Sequence, residues 1–127
     1  MTKLDKAFLI IGALLLMTAA TLSAYGFHGL ADSLTEADRL SWRWAVQMQV
    51  YHAIGMILIT LLVLQTGPSK LLDIARGLFV FGVIVFSGSV YAEKLGAPEA
   101  IVEIAPLGGS SLMLAWLLVA LAVFLRK

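Results

Sequence analysis

The side chains in this sequence that could do chemistry are few, and most sit in apolar surroundings. Met48, His52 and Met56 stand at i, i+4 and i+8, on one face of a helix. Two thioethers and an imidazole form a soft donor set that suits Cu(I). His28 is the other histidine and the obvious source of a further ligand. A methionine stripe at helical spacing is also ordinary core filling, and either histidine can be a neutral hydrogen-bonded group. The metal candidates His28, His52, Met48 and Met56 are thus an incomplete set, and no resident metal or cofactor is predicted. Cysteine is absent, which excludes disulfides, thiolate catalysis, iron–sulfur clusters and Cys-based zinc sites. Ser87, Ser89, Ser110 and Ser111 have no base at recognisable spacing, so no catalytic residue is assigned. Carboxylates fall in the connections and at helix ends, which offers neither a proton relay through the middle nor a ring of pore charges.

The elements that must hold these groups follow from where the charges lie. Four windows contain no Asp, Glu, Lys or Arg: Ala7–Ala31, Trp44–Ser69, Gly77–Ala92 and Ile104–Leu125, of 25, 26, 16 and 22 residues. All 17 charged residues share the remaining 38 positions. The chain is 61% apolar, with a mean hydropathy of +0.96. A soluble surface needs charge along every helix or strand, whereas a bilayer span needs roughly 20 apolar residues. Four membrane helices are predicted. A soluble enzyme, a nucleic-acid binder and a peripheral membrane protein are excluded.

The expected helices cover about 6–28, 36–65, 70–94 and 106–125, in a single domain of residues 1–127. Lys3 and Lys6 before an apolar run imitate a signal peptide. The run is longer than a typical h-region, and Leu22 fits a cleavage site poorly, so a retained first helix is expected. Thr35, Glu36 and Asp38 mark the start of the second helix. Its ~30 residues reach about 45 Å, beyond the ~30 Å hydrocarbon core. Trp42 and Trp44 then fall in the interfacial aromatic belt. Gly67-Pro68 ends that helix and Ser69 caps the next. Arg76 is expected to snorkel to the interface. A short interfacial helix is expected over Pro98–Glu103.

Lys3, Lys6, Lys70, Arg76, Arg126 and Lys127 lie on the side of the termini, and Arg39, Arg43 and Lys94 on the other. Six against three predicts that both termini are cytoplasmic. On this topology His28, Gln47, Gln49, His52, Ser87, Ser89, Tyr91, Gly108 and Gly109 all fall in the outward half. His52 lies about 12 Å below the level of Trp44 at 1.5 Å per residue. The inward half offers only Thr60 and Gln65 by comparison. The cluster of His28, Gln47, His52, Ser87, Ser89, Tyr91, Gly108 and Gly109 reads either as structural glue between helices or as a ligand-binding site. Ala20-x3-Ala24, Gly88-x3-Ala92 and Ser111-x3-Ala115 have the small-residue spacing of close helix contacts.

Three segments carry a family resemblance: Ala24–Leu30; Trp44–Gln47 through Tyr51–Ala53; and Phe86–Tyr91 followed by Ala105–Gly109. In this order, and with the four-span plan, they resemble the bacterial inner-membrane family catalogued as domain of unknown function 423. Small four-helix transmembrane proteins of animal mitochondria are related to it. The resemblance covers essentially the whole chain. Its patterns match His28, Gln47, Tyr51, His52, Ser87, Gly88, Ser89, Tyr91, Pro106, Gly108 and Gly109. Met48 departs, standing where the family carries an aromatic residue, and Phe27 and Gly29 depart on either side of His28. The resemblance implies a fold and a compartment and no activity.

The sequence therefore predicts an all-α membrane protein, a four-transmembrane-helix bundle in the bacterial inner membrane. The leading expectation is a non-enzymatic accessory subunit or small homo-oligomer. Its partners would be the lipid bilayer and either itself or a larger membrane complex, with no nucleic acid. An alternative is a binding or transport module whose outward pocket (His28, Gln47, His52, Ser87, Ser89) takes a small polar ligand, an ion or a lipid head group. The third reading is a His-ligated cofactor or copper protein.

Overall fold

Each charge-free window forms a helix, and the first three helices start where a side chain satisfies free amides. In the computed structural model, which describes residues 1–126, the helices are α1 (Lys3–His28), α2 (Glu36–Thr66), α3 (Lys70–Lys94) and α4 (Ala105–Phe124). Lys127, one of the cations counted on the side of the termini, lies outside the described residues. The start of α1 precedes Lys6 because of a capping box. The Thr2 hydroxyl accepts the Asp5 amide at 3.1 Å, and the Asp5 carboxylate accepts the Thr2 amide at 3.0 Å. Thr35 accepts the Asp38 amide at 3.1 Å at the head of α2. Gly67 ends α2 at φ 93°, in the left-handed region that favours glycine, and Pro68 follows. A 3-10 turn, Glu99–Ile104, leads into α4, where Pro106 occupies the first turn.

Packing follows the chain: α1 lies along α2, α2 along α3, and α3 along α4, while α1 and α4 share no extended contact. The central pair supplies most of the core, with Met56, Ile59 and Val63 facing Leu72, Phe79 and Val83. Phe8, Ile11 and Leu15 cover this core from α1, and Leu112, Ala115, Leu118 and Val119 from α4. The buried stripe has a seven-residue period. On α1 it is Asp5, Gly12, Ala19 and Gly26; on α2, Trp42, Gln49, Met56 and Val63 recur in the same way. A 3.5-residue repeat is the seam of left-handed helix packing, the common arrangement in membrane bundles.

This stripe corrects the expected helix contacts. Ser111 and Ala115 are buried, but Ala20 and Ala24 are exposed, and no atom outside α3's own backbone would meet a side chain added at Gly88. Close approach occurs instead where Gly26 takes the Trp42 ring and where Gly108 meets the α3 backbone at Gly82 and Phe86. The outward faces are apolar, with Leu14, Met17, Leu58, Leu61, Ile84 and Leu117 among the exposed side chains. All four helical segments are long and apolar enough to cross a membrane, and these faces suit contact with lipid tails.

Candidate functional site

The polar side chains of the half nearest the α1–α2 connection form cross-links between helices. Gln49 is the hub. Its amide donates to the Leu15 carbonyl at 2.8 Å and to the Thr18 hydroxyl at 2.9 Å, both on α1. Its Oε1 accepts the Tyr91 hydroxyl of α3 at 2.9 Å. One amide thus joins three helices, because Gln49 falls on the inward stripe of α2. One turn away, Ser87 donates to the Ala45 carbonyl at 2.6 Å, a second α3–α2 link. Trp42 donates its indole N–H to the Leu22 carbonyl at 2.8 Å, and its ring packs 4.9 Å from that of Tyr91. In hydrocarbon such bonds join helices because no water competes for the same groups.

His52 is buried, and its Nδ1 lies 2.7 Å from the Met48 carbonyl of its own helix. A carbonyl oxygen only accepts, so Nδ1 carries the proton in this contact. The ring stands 5.4 Å from Phe79 and 6.1 Å from Trp116, with those two rings 4.9 Å apart. His52 is therefore one wall of an aromatic cluster that joins α2, α3 and α4.

The expected cluster separates into parts with different roles. Ser87 and Tyr91 bridge helices, Ser89 bonds the Phe86 carbonyl of its own helix at 2.9 Å, and Gly108 permits close approach. A methyl group placed on Gly109 would meet the Phe86 ring at 3.8 Å, an ordinary contact distance. His28 is exposed at the end of α1, edge-on to Phe27 at 4.8 Å. Gln47 is half-buried and faces a different cleft, shared with Arg39 and Arg43. The expected outward pocket of His28, Gln47, His52, Ser87 and Ser89 is not assembled, because heptad packing turns Gln49, not Gln47, into the core.

The two histidines do not converge either. Leu15 and Thr18 lie level with Gln49, so His28 stands about ten or more residues further along α1, roughly 20 Å from the level of His52. Met56 is fully buried in the apolar core. The candidate copper set of His28, His52, Met48 and Met56 therefore shares no common centre. Among the described residues, no group of three or more His, Asp or Glu side chains is placed to hold a metal ion.

The half nearer the termini holds a network that Thr60 and Gln65 alone do not foretell. Arg76 is 1% exposed, so it does not snorkel. Its Nη1 meets Asp5 Oδ1 at 2.9 Å and donates to the Thr60 hydroxyl at 3.2 Å, while Nη2 pairs with Asp73. The guanidinium carbon lies 4.6 Å from the centre of the Phe8 ring, a cation–π contact. Asp5 is drawn in by the same capping box that starts α1, so one carboxylate caps a helix and ties α1 to α3. A cavity of about 450 Å³, lined in part by Asp5, Asp73 and Arg76, opens beside it. Two sequence signals point to this network: the i, i+3 spacing of Asp73 and Arg76, and Asp5 three residues after Thr2.

The chain has relatives among bacterial membrane proteins. A family model described as a protein of unknown function (DUF423) matches residues 22–109, which span the Gln49, His52 and Ser87 links. The chain is 35% identical over 118 residues to a UPF0382 membrane protein of Staphylococcus epidermidis, covering 92% of this chain and 94% of the relative. It is 30% identical over 117 residues to the UPF0382 membrane protein YwdK of Bacillus subtilis, covering 92% and 95%. A UPF0382 membrane protein of Haemophilus influenzae is 31% identical over 125 residues, covering 98% of each chain. No solved structure matches the chain. With four helices able to span a bilayer and a family match across most of its length, the chain belongs to the DUF423 family of bacterial integral membrane proteins, whose biochemical function is unknown.

Proposed function

We propose that the protein is a non-enzymatic membrane scaffold, acting as an accessory subunit or a small homo-oligomer with both termini in the cytoplasm. The observation that carries this reading is the engagement of its buried polar groups. Gln49, Tyr91, Ser87, Trp42, Thr60 and Arg76 are all bonded across helices. A reaction centre needs a nucleophile or base free to meet a substrate; here the buried hydroxyls of Ser87, Tyr91 and Thr60 are taken up in links between helices, and His52 Nδ1 is bonded within α2. Gln49, Ser87 and Tyr91 accordingly act as structural glue. Sequential packing supports the subunit role, since α1 and α4 flank the central pair and each keeps a broad outer face. The excess of Lys and Arg on the side of the termini supports the orientation.

Extraction from native membranes into lipid nanodiscs, followed by mass measurement and identification of co-purified chains, tests the role. The expected particle is heavier than one 13.7 kDa chain, holding either further copies of this protein or a distinct partner. A single chain alone, under extraction that preserves known complexes, contradicts it. Cysteine introduced at Ser33 or at Lys3 tests the orientation. The first should react with an impermeant reagent outside intact cells and the second should not.

A further inference from the structure

A cleft of about 420 Å³ lies between α1 and α2 near their connection, and its chemistry is unlike that of the rest of this side. Arg39 and Arg43 stand one turn apart along its α2 wall, with Gln47 one turn deeper. Ser23 faces them from α1. The buried Trp42 and the exposed Phe27 provide apolar walls.

The two arginines have no carboxylate partner among the described residues, although acids outnumber cations on this side of the membrane. Lys94, the third cation there, is paired with Asp38 at 2.7 Å. One guanidinium N–H of Arg39 reaches the Ala31 carbonyl, which holds the side chain over the connection and leaves its other donors available. Two like charges at i, i+4 repel each other, and a shared anion would relieve that repulsion. Ser23 and Gln47 are engaged by no other side chain among the described residues. Depth adds to the argument: Trp44 and Tyr25, both about half exposed, mark the aromatic belt at this level. A lipid phosphate placed there would lie at the headgroup level, with the acyl chains of the lipid against the apolar walls.

We propose that this cleft binds the phosphate of an anionic glycerophospholipid. Arg39 and Arg43 take the phosphate oxygens through their planar forks, and Gln47 and Ser23 take the polar groups next to it. A free anion would gain nothing from Phe27 and Trp42, which is why the lipid is the preferred source.

The test uses the full chain in neutral detergent, with phosphatidylglycerol titrated and retained lipid counted by native mass spectrometry. One phosphatidylglycerol per chain is expected, with phosphatidylcholine and inorganic phosphate each at least about tenfold weaker. Arg39→Gln/Arg43→Gln should weaken phosphatidylglycerol binding by at least about tenfold. Lys3→Gln/Lys6→Gln, which removes equal charge from exposed sites near the termini, should leave it unchanged. Arg39→Lys/Arg43→Lys keeps both charges and the fold but not the forks, and should weaken binding by about threefold or more. Unchanged affinity in either arginine variant overturns the proposal, as does an equal loss in the lysine variant. Inorganic phosphate binding as tightly as the lipid overturns the lipid assignment.

Discussion

Gly108→Ala is a sharp probe of how α3 and α4 are held. A methyl group placed on Gly108 would lie 2.5 Å from the Phe86 amide nitrogen, 2.9 Å from the Gly82 carbonyl oxygen and 3.0 Å from the Phe86 Cα. All three are backbone atoms of α3, so no rotamer change can clear them. Ordinary contact begins at 3.4 Å, which means the helices must part locally by roughly 0.9 Å. Overpacking of this kind costs about 1–3 kcal/mol. Replacing glycine by alanine inside a helix contributes about 0.5–1 kcal/mol in the other direction. Taking the middle of each range, the net expected loss is about 1 kcal/mol, roughly a fivefold change in the folded-to-unfolded ratio. Gly88→Ala is the matched reference: the substitution is the same, it lies in a membrane helix, and no outside atom is within 4 Å of the new methyl. It should stabilise slightly. Reversible unfolding in mixed micelles, followed by tryptophan fluorescence, measures both. Equal stability of the two variants, or a gain in Gly108→Ala, would refute the close backbone contact between α3 and α4.

Two further perturbations address the polar layers. In a double-mutant cycle, Gln49→Leu and Tyr91→Phe should each destabilise the protein by about 1 kcal/mol and be coupled by about 0.6 kcal/mol; additive losses would mean that the Tyr91–Gln49 bond is not formed. Arg76→Met should reduce the yield of folded protein more than Asp73→Asn does, because Arg76 is buried on α1's Asp5 while the Asp73 side chain is 35% exposed. Folded yield by size-exclusion chromatography checks the order, and Arg76→Lys should recover part of it.

Much of the fold is legible in the sequence because bilayer physics writes it in large letters. Four charge-free windows, Thr35 before Glu36, and Gly67-Pro68 each fix one feature with a simple cause. The candidate site is less legible because its members depend on rotation about the helix axis. Gln47 and Gln49 look alike in sequence, yet they differ by about 200° around α2. Only the neighbouring heptad positions, Trp42 and Met56, decide that Gln49 faces α1 and α3. Arg76 is misread for a related reason. An arginine near a helix end ordinarily snorkels, but Asp5 comes from a helix 71 positions away in the chain. No local pattern reports that distant carboxylate. The seven-residue spacing of Asp5, Gly12, Ala19 and Gly26 is present in the sequence and marks the face of α1 that carries Asp5 inward.

Polar links tie α1, α2 and α3 together and close packing holds α4 against α3, leaving α1 and α4 apart at the flanks. Because the native chain has no cysteine, paired-cysteine cross-linking in native membranes tests this arrangement directly. Cysteines at Leu15 and Gln49, or at Ala45 and Ser87, should form cross-links within one chain. Pairs joining the middle of α1 to the middle of α4, such as Leu14 with Leu117, should form none within a chain. Efficient α1–α4 cross-linking inside a single chain, with the Ala45–Ser87 pair silent, would contradict the sequential packing and the role assigned to its polar side chains.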